Sequence, residues 1–539
     1  MYTDPLSVQS LLHAGVFAAL ACVSAVFYYY VYREYSSTVR GLRGPPPAHW
    51  LYGSQPSLQD APNGSLQTQW FETYGPTLRY YSLRREQTIL TMDPVAVSYI
   101  HSHPTLFEQS DATTKFSQQV MGPSLTAALG PDHRRQRRAI APSFNTPQLR
   151  IMAPVFIDKA NQLVERILDD QKAQGGDHVD LQKYIGQLTV DVIGLAGFDL
   201  DFDTLGKGGH ELLAAWKRQM EGSFDSTFSV LLQNLGFPVP MFLRSERSKG
   251  IDEASRVMKR IGNRLLADKR KAIQAEMGDS VTKSDFAGGD LITNLLRANM
   301  AVDVKADQRM SDEEVLAQIP LFLFAGNTTI AVTLTWCVGL LAKHPDVQNK
   351  LRKEVSSIES SLPAWEIIDA LPYLDAVVHE VLRLYPAAPT LFRVAQADTV
   401  IPLQMPVVGR SGRCIEAVPI KKGNTVHIAF GQMNLDKGVW GLDADEFRPS
   451  RFLLPDNVRS RLIGNIHTFG GGSRHCIGAK FAIAEIKTVL FVLVRRLSFE
   501  ETSSKPEFTR HGGHVAKLGL ARAKVGGRLE MPLRVEKAE

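Results

Sequence analysis

"FGGGSRHCIGAKFA", residues 469–482, sets a single cysteine between a run of glycines and an apolar stretch with helical spacing. Glycines at 470, 471 and 472 let the backbone turn sharply and lie close against something flat, and the residues from Ile477 onward read as an amphipathic helix. Cys476 therefore stands near a helix N-terminus, where backbone N–H groups and the positive end of the dipole favour thiolate. A nucleophilic cysteine needs a base, and the adjacent His475 is a poor candidate because chain neighbours seldom face each other. A cysteine buried only for packing leaves the three glycines unexplained. Ligation of a haem iron by one thiolate fits both the loop and the solitary sulfur.

The rest of the chain narrows the frame. Its 539 residues are 44% hydrophobic and 22% charged, with no linker, low-complexity tract or internal repeat after residue 60, which suits one large domain, mostly helical. A formal net charge of +5 with scattered basic residues gives nucleic-acid binding little support. The four cysteines, at 22, 337, 414 and 476, have neither zinc-site spacing nor the density of a disulfide scaffold, so a reducing compartment is the simpler reading.

Residues 11–32, "LLHAGVFAALACVSAVFYYYVY", carry no charged residue. At about 1.5 Å per helical residue they span a hydrocarbon layer of ~30 Å. A cleaved signal peptide wants a positive start and a small-residue cleavage site, whereas this segment begins beyond Asp4 and leaves through Tyr28, Tyr29 and Tyr30. Arg33, Arg40 and Arg43 follow at once, which places everything after the anchor in the cytosol. The expected organisation is a short lumenal N-terminus (1–10), a transmembrane anchor (11–32), a basic and Pro-rich hinge around "GPPP" (33–50) and a catalytic domain (51–539).

Short β-like pieces, "LRYYSL" (78–83) and "QTILTM" (87–92), precede helix after helix. Ser311 with Glu314 forms a capping-box pattern and Pro345 closes the far end, predicting one helix over 311–342. Its stretch 319–341 is uncharged and long enough to cross a membrane, yet Pro320, Gly326 and four threonines argue for a buried central helix. "AGNTT" (325–329) has two readings: a groove, opened where Thr side chains bond back to carbonyls one turn earlier, or close approach of another helix at Gly326.

The stretch with Phe469, Gly472, Arg474, Cys476 and Gly478 resembles the F-x-x-G-x-R-x-C-x-G haem-binding signature of the cytochromes P-450, the haem-thiolate monooxygenases. Further elements follow in the family's order, and the motif set looks most like the fungal microsomal branch. Glu380 and Arg383 match the E-x-x-R of a family helix, "DEFRPSRF" (445–452) resembles its meander with Arg451 in the arginine position, and "AGNTT" looks like its oxygen-binding groove. The resemblance implies a mainly α fold with small β-sheets behind an N-terminal transmembrane helix. It implies haem b bound by Phe469, Gly472, Arg474, Gly478 and the ligand Cys476, with His133, Arg137 and Arg393 as further haem-propionate partners. Glu380, Arg383 and Arg451 become a buried ionic network of structural role.

Within the basic run "HRRQRR" (133–138), Arg134 and Arg135, with Lys480, face solvent in this reading and help dock an acidic reductase. The implied activity is insertion of one oxygen atom of O2 into a hydrophobic substrate, a terpenoid or other secondary metabolite. Thr329 organises water for proton delivery, and Ala325 and Gly326 leave room for dioxygen. The family usually carries an acid before that threonine, where this chain has Thr328. With no flavin domain in the sequence, electrons come from a separate NADPH-dependent flavoprotein reductase, with cytochrome b5 as a further partner. The implied location is the endoplasmic reticulum membrane, single-pass, with the domain in the cytosol. Specificity falls to residues 104–128, 223–245 and 387–392. The alternatives are a fatty-acid or xenobiotic hydroxylase, an isomerase or dehydratase that uses haem without O2, and a non-catalytic sterol and haem-binding partner.

Overall fold

The computed structural model describes residues 13–538 except 14, 18, 22, 25, 26, 63, 175–177, 207–208, 224–245, 278–287, 303, 503–507, 512–516 and 521–529. The expected lumenal residues 1–10 and nearly all of the specificity segment 223–245 thus lie outside the described residues, as do several anchor positions. The chain divides into two compact units, Met1–Glu108 with Thr390–Met433, and Gln109–Pro389 with Asn434–Glu539.

The first unit is organised by strands. These are β1 (Thr77–Tyr81), β2 (Gln87–Thr91), β3 (Phe107–Glu108), β4 (Leu391–Ala395), β5 (Thr399–Val408), β6 (Cys414–Ile420) and β7 (Thr425–Ile428). β1 and β2 pair antiparallel with Leu78 opposite Leu90, where the two β-like pieces stand. The sheet runs β1-β2-β7-β4-β3, with β2 parallel to β7, while β5 and β6 form a separate antiparallel pair. β1 and β2 are buried along their whole length, which explains Leu, Tyr and Ile at successive positions in place of strict alternation. Ahead of the sheet, the described residues between 13 and 36 are helical, with a π-helical turn at Tyr28–Tyr32. Phe17, Leu20, Val23 and Phe27 are exposed there. The segment expected as a hinge is docked: Val39 and Leu42 are buried, and Arg79 N–H donates to Arg43 O at 3.0 Å. Gly44 is required by that contact, since a Cβ there would stand 1.7 Å from Arg79 O.

Helices make up most of the second unit. Those that bear on the site are α1 (Gly130–Ile140), α2 (Thr146–Gln174), α3 (Leu181–Phe198), α4 (Asp312–Leu316), α5 (Gln318–Lys343), α6 (Pro372–Leu384) and α7 (Ala479–Arg496). One continuous helix over 311–342 is corrected to α4 and α5, divided at Ala317. The capping box of Ser311 and Glu314 is present and starts α4. Pro320 has no N–H for the carbonyl of Leu316 and its ring crowds that oxygen, so the ladder restarts one residue beyond α4. Among the described residues α5 is the helix long and apolar enough to cross a membrane, but it is mostly buried in the core, as a central helix should be.

Candidate functional site

The cysteine loop is closed by hydrogen bonds that do not involve sulfur. Cys476 N–H donates to Phe469 O (2.9 Å), Gly470 N–H to His467 O (2.9 Å) and His475 N–H to Gly472 O (3.1 Å). Gly470 and Gly472 hold φ of +70° and +64°, conformations that a side chain resists, whereas Gly471 is extended. Gly478 caps α7, so the sulfur lies just before the first helical turn. The Cys476 side chain keeps accessible surface, yet protein atoms crowd it, and burial pushes the thiol up. The Gly478 N–H and the Arg137 charge pull the other way without prevailing. This corrects the expectation that the helix N-terminus alone holds the sulfur as thiolate. Desolvation outweighs the Gly478 N–H and the Arg137 charge, and a coordinated metal ion is what ionises such a thiol.

Three elements converge on Phe144, which no motif or spacing marks out. It sits on the turn that follows α1 and packs edge-on against Phe322 of α5 (5.7 Å) and Phe481 of α7 (6.2 Å). On α1, His133 is buried and Arg137 half-buried. Arg137 lies close enough to Cys476 for their charges to interact, and its guanidinium has no hydrogen-bond or ion-pair partner among the described residues. Burial lowers its pKa. Arg474 Nη2 donates to Ala128 O at 2.8 Å. Arg393 is placed on β4 in the first unit, its Nη1 donating to Phe392 O at 2.9 Å. A half-buried guanidinium without a counter-charge beside a desolvated thiol suits an anionic, metal-bearing group, which the carboxylates and iron of haem supply. The residues present therefore fit that cofactor.

In α5 the "AGNTT" residues divide between two faces. Ala325 is exposed in the middle of a mostly buried helix, and Thr329 Oγ1 donates to Ala325 O (2.7 Å), the back-bond that its position suggests. Thr328 keeps partial accessibility. Gly326 turns the other way: a Cβ there would come 2.8 Å from Ile193 of α3, and Asn327 Oδ1 accepts from Thr189 of α3 (2.8 Å). Room for dioxygen at Gly326 is corrected accordingly, because this glycine admits a neighbouring helix. α5 remains α-helical throughout, so its threonines do not widen it into a π-turn.

The structure brings Glu380, Arg383 and Arg451 together. Glu380 accepts from Arg383 Nε (2.7 Å) and Nη2 (2.8 Å) and from Arg451 Nε (3.1 Å), all three side chains being buried. Asp443 joins them through Arg451 (3.1 Å). A second buried group was missed: Asp375 of α6 pairs with Lys487 of α7 (2.6 Å), His379 and Arg459. The i,i+4 spacing of Asp375 and His379 was the available signal, but nothing local points to Lys487.

Arg135, expected to face solvent, is instead held within the chain. Its guanidinium grips Glu314 of α4 with both ends, Nη2 to Oε1 at 2.7 Å and Nη1 to Oε2 at 2.8 Å. This corrects its place in a docking surface; Arg134 and Lys480 remain exposed. Burial acts to raise the Glu314 carboxyl, but hydrogen bonds from Arg135, Ser311 and Gln136 prevail and hold it down at about 2. The folded-state value lies below the unfolded one, so the stability from this carboxylate is present above the ordinary carboxylate range and lost as pH falls toward about 2. The stability difference between wild type and Glu314→Gln, measured by chemical denaturation, should therefore shrink between pH 6 and pH 3. An undiminished difference would mean that the carboxylate is not held down.

The family model described as Cytochrome P450 matches residues 43–525. Cytochrome P450 monooxygenase 128 of Postia placenta is 36% identical over 512 residues, 93% of this chain and 93% of that protein. Cytochrome P450 monooxygenase 205 of the same fungus is 33% identical over 541 residues, covering 98% of each chain. Cytochrome P450 monooxygenase claQ of Ampulloclitocybe clavipes is 34% identical over 516 residues, 92% of this chain and 93% of the relative.

Proposed function

The chain belongs to the cytochrome P450 family, and from that premise we propose a membrane-anchored monooxygenase whose axial ligand is Cys476 and whose substrate is a terpenoid or other hydrophobic secondary metabolite. Proteins of this family bind haem b through a cysteine thiolate and incorporate oxygen from O2. When bound, the haem supplies dioxygen activation, which electron donation from the thiolate favours. The observation that carries the reading is the juxtaposition of the crowded Cys476 thiol with the uncompensated guanidinium of Arg137.

Each residue then has a task set by its surroundings. Arg137, His133 and Arg474 offer positive charge and N–H donors to the haem carboxylates from α1 and the cysteine loop, and Arg393 is a further candidate. The Thr329 hydroxyl spends its proton on Ala325 O, which leaves its oxygen lone pairs to accept from water and hold that water in place for proton delivery. Thr328 offers a second hydroxyl where an acid would otherwise stand. Phe324 and Ala325 give the accessible surface of α5 near Thr329 apolar character, which supports a hydrophobic substrate. The exposed apolar side chains of Phe17, Leu20, Val23 and Phe27 support an anchor, since a helix that shows such residues to solvent needs lipid or protein to cover it. Arg33, Arg40 and Arg43 then hold the domain on the cytosolic side, where a separate NADPH reductase delivers electrons and exposed Arg134 and Lys480 face it.

The test is the carbon monoxide difference spectrum of reduced membranes carrying the full chain. A red-shifted Soret band supports the reading, and its absence from haem-loaded protein overturns it. With reductase and NADPH present, Thr329→Ala should release severalfold more peroxide per NADPH consumed, because the proton-carrying water then loses its main anchor. Equal peroxide yields would remove Thr329 from proton delivery.

A further inference from the structure

The loop before α1 is fastened in a way that the cofactor site does not explain. Pro123 O accepts from Gln136 Nε2 of α1 (2.9 Å), and Leu125 N–H donates to Gln318 Oε1 at the head of α5 (3.3 Å). The two glutamines are tied to each other and to Glu314: Gln136 Nε2 to Glu314 Oε1 at 2.9 Å, Gln318 Nε2 to Glu314 O at 2.7 Å, and Gln318 Nε2 to Gln136 Oε1 at 3.5 Å. Gln136 and Gln318 are 1% and 0% exposed. A buried amide costs free energy unless its donors and acceptors are matched, and these two are matched largely by each other, by Glu314 and by the loop.

The fastening reaches both sides of the site. Upstream, Gly122 (φ +74°) lies so close to Ala317 that a Cβ would stand 3.3 Å from the alanine methyl. Downstream, Ala128 O accepts from Arg474 of the cysteine loop. Residues 122–128 are thus strung between the head of the helix that carries Thr329 and the loop that carries Cys476. Glu314 itself is fixed by the two-ended grip of Arg135, the neighbour of Gln136 on α1.

We infer that Gln318, Gln136 and Glu314 form a clasp that sets the position of residues 122–128 against α5, and that they are positioning residues for substrate selection. The substrate side of this inference rests on the proposed function and on the expectation from the sequence that residues 104–128 help to set specificity. The chemistry favours a fixed position over a mobile one. Opening the clasp strands two buried amides and a carboxylate together, so the loop moves as a unit or not at all.

The experiment compares full-length wild type with Gln318→Leu, Gln136→Met and Gln318→Glu in membranes or nanodiscs. Hydrogen–deuterium exchange reads the peptide 121–128, and titrations with imidazole and with 4-phenylimidazole read access to the haem. In Gln318→Leu and Gln136→Met the amides of 121–128 should exchange about tenfold faster, as expected when one buried hydrogen bond is lost, with α2 unchanged. Gln318→Glu keeps the acceptor for Leu125 N–H but loses the donor to Glu314 O and Gln136 Oε1, so it too should exchange faster than wild type. The bulky 4-phenylimidazole should change affinity by about threefold or more while imidazole does not. Unchanged exchange in both leucine and methionine variants, or a rise spread equally over α2, overturns the clasp. Faster exchange with an unchanged affinity ratio overturns its role in selection. A wild type without the carbon monoxide band overturns the monooxygenase reading and the substrate role with it, whereas the exchange result can fail with that band present.

Discussion

Membranes carrying Cys476→Ser should show none of the red-shifted Soret band that wild type gives after reduction and exposure to carbon monoxide. The loss should be complete, because a serine hydroxyl is far harder to ionise than a thiol and is a poorer ligand for soft chemistry at iron. Folding should survive. The hydrogen bonds that shape the loop run from Cys476 N–H to Phe469 O and between neighbouring backbone groups, and the one N–H that reaches the sulfur, that of Gly478, can be accepted by a serine oxygen as well. Burial already keeps the thiol uncharged when no metal ionises it, so the exchange of one small neutral group for another removes no ion pair. The melting temperature of the cofactor-free chain should accordingly move little. A band that persists in the serine variant would remove Cys476 from the iron, and a large fall in the melting temperature of the cofactor-free chain would make it a packing residue.

What was legible in the sequence was local. The cysteine loop needs residues that tolerate positive φ at two positions, and only glycine supplies this freely, so the backbone geometry is written in the residue types themselves. The start of α4 was equally plain, since Ser311 and Glu314 satisfy each other across three residues. The same Glu314 shows where reading stopped. Its partners Arg135 and Gln136 lie 179 and 178 positions away, and no periodicity marks such a pairing. Arg135 therefore looked like one more surface charge in a basic run. Pro320 was read as a sign of burial when its larger effect was to divide the helix at Ala317. At Gly326 the residue type allowed either a ligand or a neighbouring helix, and only the position of Ile193 decided for the helix.

The network around Glu380 leads to the other large effect, Glu380→Ala. Glu380 takes four donors, from Arg383 Nε and Nη2, Arg451 Nε and Arg448 N–H, in a place with no solvent to replace it. Its removal leaves two buried guanidinium groups facing each other. Breaking one member of such a group costs about 3–5 kcal/mol, against a total of roughly 5–15 kcal/mol for a typical domain, so little haem-loaded protein should accumulate. The two arginines are not equally exposed to the loss. Arg451 retains the Asp443 carboxylate and the carbonyls of Trp440 and Asp443. Arg383 keeps the carbonyl oxygens of Asn434, Ala444 and Glu446 and the face of the Trp440 ring at 4.9 Å, but no other carboxylate among the described residues. Asp443, at 23% side-chain exposure, is partly screened by water, so Asp443→Ala should cost far less than Glu380→Ala. Glu380→Gln should fall between them, because the amide keeps an acceptor but brings a donor toward two cations. The yield of carbon monoxide-binding protein per total chain measures the series, and the expected order is Asp443→Ala above Glu380→Gln above Glu380→Ala. A Glu380→Ala protein that loads haem as wild type does would show that the two arginines find other anions, and the network would then not be what holds the segment behind the cysteine loop.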